Sequence, residues 1–192
     1  MTLQPEQVIE KFRRSGALLE GHFLLSSGLH SPVYLQCALV LQYPRTAKEF
    51  GLEIAAHFHD AEIQTVASPA IGGIVIGHEV ARALNARCIW TERENGKMIL
   101  RRGFSVSPRE KILVIEDVVT TGGSTRETIA VLQGLGADVR GAGSIIDRSS
   151  GSVDVGVPRM ALATLDVSAV EANVCEACKR GEQAIKPGSR KQ

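Results

Sequence analysis

Two adjacent acids, Glu116 and Asp117, are followed by Val118, Val119 and then Thr120-Thr121-Gly122-Gly123-Ser124-Thr125. Ionised carboxylates accept several hydrogen bonds each and donate none, so a pair of them suits the hydroxyls of a vicinal diol. The loop after them holds only small residues and donors. Gly122 and Gly123 are both expected to take backbone conformations that a Cβ would forbid, turning their amides into one concavity for an anion. Thr120, Thr121, Ser124 and Thr125 add hydroxyls to that cup. A helix starting there brings unpaired N–H groups and the positive end of its dipole. An anion cup beside a diol clamp fits a ribose 5-phosphate. A Walker-type loop does not fit, because no lysine follows the glycines and the acids precede them.

Three further stretches carry chemistry. Pro69-Ala70-Ile71-Gly72-Gly73 can bring backbone amides close to a second anion, a pyrophosphate; Gly72 and Gly73 equally suit close packing of a strand on a helix. Arg148, within Asp147-Arg148-Ser149-Ser150-Gly151, offers a planar fork that matches a carboxylate or carbonyl. Its plainer role is an ion pair with Asp147. Residues 91–107 hold Arg93, Lys97, Arg101 and Arg102 around Asn95-Gly96, a strong hairpin turn. That span is too polar for a core element and reads as a long hairpin or mobile loop. Beside a pyrophosphate it could close over the site and neutralise the leaving group; standing alone it would be a solvated face.

These loops need a frame that sets them side by side. Ile112 to Ile115 is an unbroken apolar run, as in a strand buried on both faces of a parallel sheet. Further strands are predicted over 63–67, 87–90, 139–146 and 158–165, alternating with helices over 44–58, 74–84 and 127–135, the last stopped by Gly136. The fold class is therefore α/β: a central parallel sheet flanked by helices, with right-handed crossovers. Loops at the carboxyl ends of such strands share one edge, where ligands bind, so 69–73, 116–125 and 147–151 are expected to form one site. An amphipathic helix over 5–15 comes first. Residues 17–36 read as two strands around a turn at 26–32, a hood outside the main sheet covering about 16–37. The chain is expected to be a single domain, with a helix over 169–179 and an extended end in a C-terminal tail of about 168–192.

The 192 residues are 44% hydrophobic with a net charge of +1. That is enough apolar surface for a full core and gives no broad basic face for nucleic acid. No run of about 18 apolar residues suits a membrane span, and the polar N-terminus is not a secretory signal, so the expected location is the cytoplasm. Among Cys37, Cys88, Cys175 and Cys178, the last pair forms a lone Cys-x-x-Cys. No second Cys pair or His pair lies near it in sequence, and a structural zinc usually needs four ligands. A disulfide is disfavoured in the cytosol. Plain thiols are the expectation, with a metal shared across a dimer as the alternative. Cys88, in an apolar run, is expected in the core.

Residues 116–124 resemble the phosphoribosyl pyrophosphate (PRPP) loop of the type I phosphoribosyltransferases: two acids, two apolar residues, then Thr-x-Gly-small-Ser/Thr. Nearly the whole chain resembles the orotate phosphoribosyltransferases within that class. Ser-Ser-Gly-Leu-His-Ser-Pro-Val-Tyr-Leu-Gln at 26–36 is similar to their hood motif, 68–77 to their pyrophosphate loop and 147–151 to their base loop; Cys-Glu-Ala-Cys and Lys-Pro-Gly-Ser-Arg near the C-terminus resemble a subgroup. The resemblance implies transfer of ribose 5-phosphate from PRPP to orotate, giving orotidine 5′-monophosphate and pyrophosphate in pyrimidine biosynthesis. It implies PRPP contacts from Glu116, Asp117, Val118, Val119, Thr120, Thr121, Gly122, Gly123 and Ser124, with Gly72, Gly73 and Arg93. Lys97, Asp117, Arg101 and Arg102 would be catalytic, and Thr120 and Arg148 would contact orotate. Mg²⁺ would be held mainly by substrate, with no dedicated protein ligand. A homodimer is implied, its loop 91–107 reaching the neighbouring site. Three departures stand out. Ser26-Ser27-Gly28-Leu29 replaces Lys-Ser-Gly-Arg, no histidine lies between Thr91 and Ser107, and Glu116 stands where Asp is common. Competing readings are a purine or xanthine phosphoribosyltransferase and a PRPP-sensing regulator that binds RNA or DNA.

Overall fold

In a computed structural model that describes residues 3–25, 28–166 and 169–186, the chain runs α1 (Pro5–Arg14), β1 (Leu18–Leu24), β2 (His30–Leu35), α2 (Cys37–Leu41), α3 (Pro44–His57), β3 (Thr65–Pro69), α4 (Gly73–Leu84), β4 (Arg87–Glu94), β5 (Lys97–Leu100), β6 (Lys111–Val119), α5 (Gly123–Gly134), β7 (Asp138–Asp147), β8 (Arg159–Thr164) and α6 (Glu176–Lys179). The main sheet has the order β5-β4-β3-β6-β7-β8. Five strands are parallel, and β5 is antiparallel to β4 at one edge. The expected parallel sheet is therefore mixed. The cause is Asn95-Gly96: both residues have positive φ, 48° and 79°, as a type I′ hairpin turn requires. β4 thus continues past Trp90 to Glu94 and returns at once.

β6 is central and its side chains alternate between two cores. Leu113 and Ile115 face Phe50, Ile54, Ile76 and Val80 on the side covered by α1, α3 and α4. Ile112 and Val114 face Ile129 and Leu132 of α5 on the other. All four β6 side chains are fully buried, each worth roughly 1.5–3 kcal/mol of transfer free energy. This two-sided burial fixes the height at which β6 delivers Glu116 and Asp117 to the sheet's carboxyl edge. Gly136, at φ +88°, stops α5 as expected. Among the described residues no helix is long and apolar enough to cross a membrane.

The N-terminal hairpin departs in detail from its prediction. β1 and β2 form a separate two-stranded sheet, but β2 begins at His30, inside the expected turn, and contains Pro32. The register shifts between Glu20 and Phe23 of the facing strand. Such an irregularity accommodates a residue with no N–H to donate. Ser26 and Ser27 of the hood motif lie outside the described residues, as do residues 187–190 of the Lys-Pro-Gly-Ser-Arg motif. A short helix, α2, was not foreseen; it buries Cys37, Val40 and Leu41. The helix expected over 169–179 is reduced to a 3₁₀ turn at Ala172–Val174 and α6. Val170 instead exchanges backbone hydrogen bonds with His30. Cys88 is half-buried and packs against the core.

Candidate active site

β6 ends at Val119 and the chain turns through Gly122 into α5. Gly122 has φ +70°, and a Cβ there would lie 2.5 Å from Val153 Cγ1. Its carbonyl accepts the first bond of the helix, from Arg126 N at 2.9 Å, so the amides of Gly123, Ser124 and Thr125 come ahead of the ladder. Gly123 departs from expectation. It is the first residue of α5, without positive φ, and a Cβ there would meet nothing closer than 3.6 Å. Gly122→Ala should therefore cost roughly 2–4 kcal/mol in stability, from left-handed strain plus overpacking. Gly123→Ala should cost well under half of that. Equal shifts in denaturant midpoint would refute this account of the turn. Arg126 pins the back of the loop through the carbonyls of Thr121, at 2.8 Å, and Asp154, at 2.9 Å.

The two acids differ in their partners. The Thr125 hydroxyl donates to Glu116 Oε2 at 2.6 Å; Thr125 thus serves the acid, not the anion cup for which it was predicted. Asp117 Oδ1 accepts the Val118 amide at 2.9 Å, and the buried Cys37 thiol also hydrogen-bonds Asp117. No Lys or Arg pairs with either carboxylate among the described residues. Burial therefore pushes Glu116 up to about 7, with the Asp117 charge adding to it, and burial raises Asp117 as well. Gly72 sits against this pair: a Cβ there would lie 2.7 Å from Asp117 Oδ2. Gly73 serves packing instead, since its Cβ would lie 2.8 Å from the Ile115 carbonyl oxygen.

Glu116 gives a pH dependence with a definite sign. The unfolded chain loses this proton near 4.5, whereas the folded chain keeps it to about 7. Between those values the folded state binds more protons, so stability falls as pH rises through the window. Ligand-free Glu116→Gln should be more stable than the parent at pH 8 by on the order of 2–3 kcal/mol, and nearly equal to it at pH 5. Unfolding midpoints at the two pH values check this; a difference that does not change with pH would reject it.

Arg148 follows β7, its amide bonded to the Val119 carbonyl at 2.8 Å. That bond sets Arg148 beside Thr120. The alternative partner, Asp147, is taken: Arg159 Nη1 and Nη2 both lie 3.1 Å from Asp147 Oδ2, and Ser149 and Gly151 donate to the same carboxylate. The Arg148 guanidinium reaches Ser31 Oγ at 3.2 Å. Its Nε is buried without a partner, and burial lowers its pKa.

A cavity of about 590 Å³ joins these groups, lined by Asp117, Val118, Thr120, Thr121 and Arg148 together with Leu25, Leu29, Tyr34, Leu35 and Ala169. The hood and tail residues in that set were not among the predicted site residues. Tyr34 was visible only as the aromatic of the Ser-Pro-x-aromatic motif, and Ser31 as its serine. Glu116, bonded to Thr125, is outside that lining, as are Gly122, Gly123 and Ser124, which form the turn after Thr121. Arg93, Lys97, Arg101 and Arg102 are not in the lining. Arg93 pairs with Glu127 at 2.6 Å, Arg101 with Glu94 at 3.2 Å and Arg102 with Glu92 at 2.6 Å. Lys97 is exposed, next to the turn and opposite Glu94 in the hairpin register.

No protein-family model matches the chain. It is 50% identical to the orotate phosphoribosyltransferase of Desulforamulus reducens over 185 residues, 96% of this chain and 97% of that protein. Its identity to the orotate phosphoribosyltransferase of Caldicellulosiruptor bescii is 48% over 190 residues, 99% of this chain and 100% of that protein. Among solved structures, the orotate phosphoribosyltransferase of Aeropyrum pernix matches with a TM-score of 0.67 at 27% identity, over 82% of this chain and 93% of that one.

Proposed function

The chain belongs to the orotate phosphoribosyltransferase family, and from that premise we propose that its cavity takes PRPP and orotate and releases orotidine 5′-monophosphate and pyrophosphate. The observation that carries the choice of base is Arg148. A half-buried guanidinium whose Nε is buried without a partner, facing the same cavity as Thr120 and Asp117, calls for a carboxylate. Orotate has one; adenine, hypoxanthine, xanthine and uracil do not.

The bond from the anomeric carbon to pyrophosphate breaks as N1 of orotate adds from the opposite face and gives up its proton, which leaves with the pyrophosphate. Positive charge grows on the sugar and negative charge on the leaving group. The 5-phosphate sits on the 120–124 turn and the α5 N-terminus. Glu116 and Asp117 hold the ribose hydroxyls and favour the cationic sugar electrostatically. The amides of the Gly72 loop face the pyrophosphate. The two acids lack a cationic partner among the described residues, and their oxygen donors fit a hard cation. Mg²⁺ held by the substrate beside Asp117 would neutralise pyrophosphate charge. Lys97 reaches the leaving group of a neighbouring chain in a homodimer, with Arg93, Arg101 and Arg102 shaping its hairpin. The proposed working unit is a single cytoplasmic domain with the hood over the base.

Incubation with PRPP and each base, with and without Mg²⁺, tests this. Orotidine 5′-monophosphate from orotate alone, dependent on Mg²⁺, is expected. Turnover of a purine in its place would overturn the reading, as would no turnover together with salt-sensitive RNA binding.

A further inference from the structure

Four side chains that this function leaves unused meet at one point. His22 on β1, His30 on β2, Cys175 just before α6 and Cys178 within it each offer one ligand atom, and these atoms all lie within 4.8 Å of one another. His22 Nε2 is 2.6 Å from His30 Nδ1, 3.5 Å from Cys175 Sγ and 3.6 Å from Cys178 Sγ. Cys178 Sγ is 3.2 Å from His30 Nδ1. A tetrahedral zinc with ordinary Zn–N and Zn–S bonds spaces its ligand atoms by roughly 3.3–3.8 Å. Three sulfur–nitrogen edges already have about that length, and the His–His edge is short.

The surroundings are those of a metal centre. His22 Nδ1 stands 3.0 Å from the Glu182 carbonyl oxygen. An N–H donated there leaves Nε2 with its lone pair turned into the cluster, the usual orientation of a ligating histidine. The amides of Ala177 and Cys178 hydrogen-bond towards the Cys175 sulfur. His22, His30 and Cys175 are buried, and hydrogen bonding alone serves this group poorly. Two imidazole nitrogens in contact share at most one proton, and thiols are weak donors.

We propose that His22, His30, Cys175 and Cys178 bind one Zn²⁺ as a closed structural site. Two nitrogens and two sulfurs fill a tetrahedron and leave no open position for catalysis. The site explains how the C-terminal segment is held. That segment adds backbone bonds to both hairpin strands, Ile185 beside Phe23 and Val170 beside His30. A two-stranded hairpin is marginal alone, and the metal would clamp the two pieces together. Ser31, next to the ligand His30, is the residue that Arg148 reaches, and Ala169 of the same segment lines the base cavity with Leu25 and Leu29. The metal thus supports the roof of the base pocket from behind.

The full chain, purified without chelator or metal-affinity tag, should carry about one zinc per chain by elemental analysis. Cobalt substitution should give the visible bands of a tetrahedral ion together with thiolate charge transfer. Cys178→Ser and His22→Ala should lose the metal, whereas Cys88→Ser should keep it. Chelation should lower the melting temperature and, once the chelator is removed and Mg²⁺ restored, leave KM for orotate raised several-fold with a smaller change in kcat. The cobalt spectrum of the unsubstituted chain decides the matter even where the variants fail to fold. Absence of both zinc and the cobalt–thiolate bands, with Cys175 and Cys178 titrating as free thiols or joined as a disulfide, would overturn the proposal.

Discussion

Lys97→Ala should lower kcat by roughly 10²–10³-fold, the usual cost of removing one group that stabilises developing negative charge, while PRPP and orotate still bind. The ion pairs of the hairpin single this residue out. Arg93, Arg101 and Arg102 are engaged by Glu127, Glu94 and Glu92, so their charge is partly spent inside the hairpin. Arg102 donates twice to Glu92, at 2.6 and 2.9 Å, and holds the strand against its neighbour. Lys97 has no acidic partner among the described residues, and its ammonium is the hairpin cation available to an outside anion. Replacing Arg102 should therefore loosen the hairpin and cost activity less steeply. The hairpin lies at the β5 edge of the sheet, and none of its cations lines the cavity of its own chain. If it serves a neighbour, two dead variants should rescue each other. Lys97→Ala mixed with Asp117→Asn after subunit exchange should recover about a quarter of parental activity, because half the dimers of a two-fold assembly then hold one intact site. A mixture as inactive as its components would show that the hairpin acts within its own chain, or not at all.

What the sequence disclosed was local, and what it hid was distant. The run Ile112–Ile115 marked the central strand because burial on both faces needs unbroken apolar residues. The acids and the Thr-Thr-Gly-Gly turn followed from position, since a loop after a buried parallel strand must open at the sheet's carboxyl edge. Which glycine bears the left-handed turn was not legible. Gly122 and Gly123 look alike in sequence, and the difference comes from Val153, some thirty residues on, packing against the first. Thr125 looked like one more donor until Glu116, itself starved of solvent, claimed its hydroxyl. Arg148 seemed free to pair with the acid beside it. In the fold Arg159 takes Asp147 across the parallel β7–β8 pair, and that leaves the neighbouring guanidinium for the cavity. The Cys-x-x-Cys offered half a ligand set, and its complement sits on the hairpin, 153 residues from Cys175 to His22. No periodicity or spacing rule reaches across such a separation. Only the docking of the C-terminal segment on β1 and β2 creates it.

Arg148→Ala should reduce kcat/KM for orotate by roughly 10²–10³-fold, the ordinary cost of removing one partner of a desolvated charge pair. The loss should appear chiefly in the orotate KM, with PRPP binding little changed. The parent chain bears the cost of half-burying a guanidinium before any ligand arrives: its pKa is lowered by burial and its buried Nε has no acceptor among the described residues. A carboxylate entering the cavity removes that cost and gains a paired, charge-assisted contact where water screens little. The backbone bond to Val119 and the Ser31 hydroxyl hold the fork in place, so binding need not order it. Arg148→Lys should recover little, because an ammonium keeps the charge and loses the planar fork. Uracil supplies the control. It lacks the carboxylate, so the same substitution should barely change its poor turnover, and the preference for orotate over uracil should collapse by nearly the whole factor lost on orotate. Arg148→Ala with unaltered discrimination between the two bases would mean that the carboxylate binds elsewhere, and the assignment of this cavity to the base would fall with it.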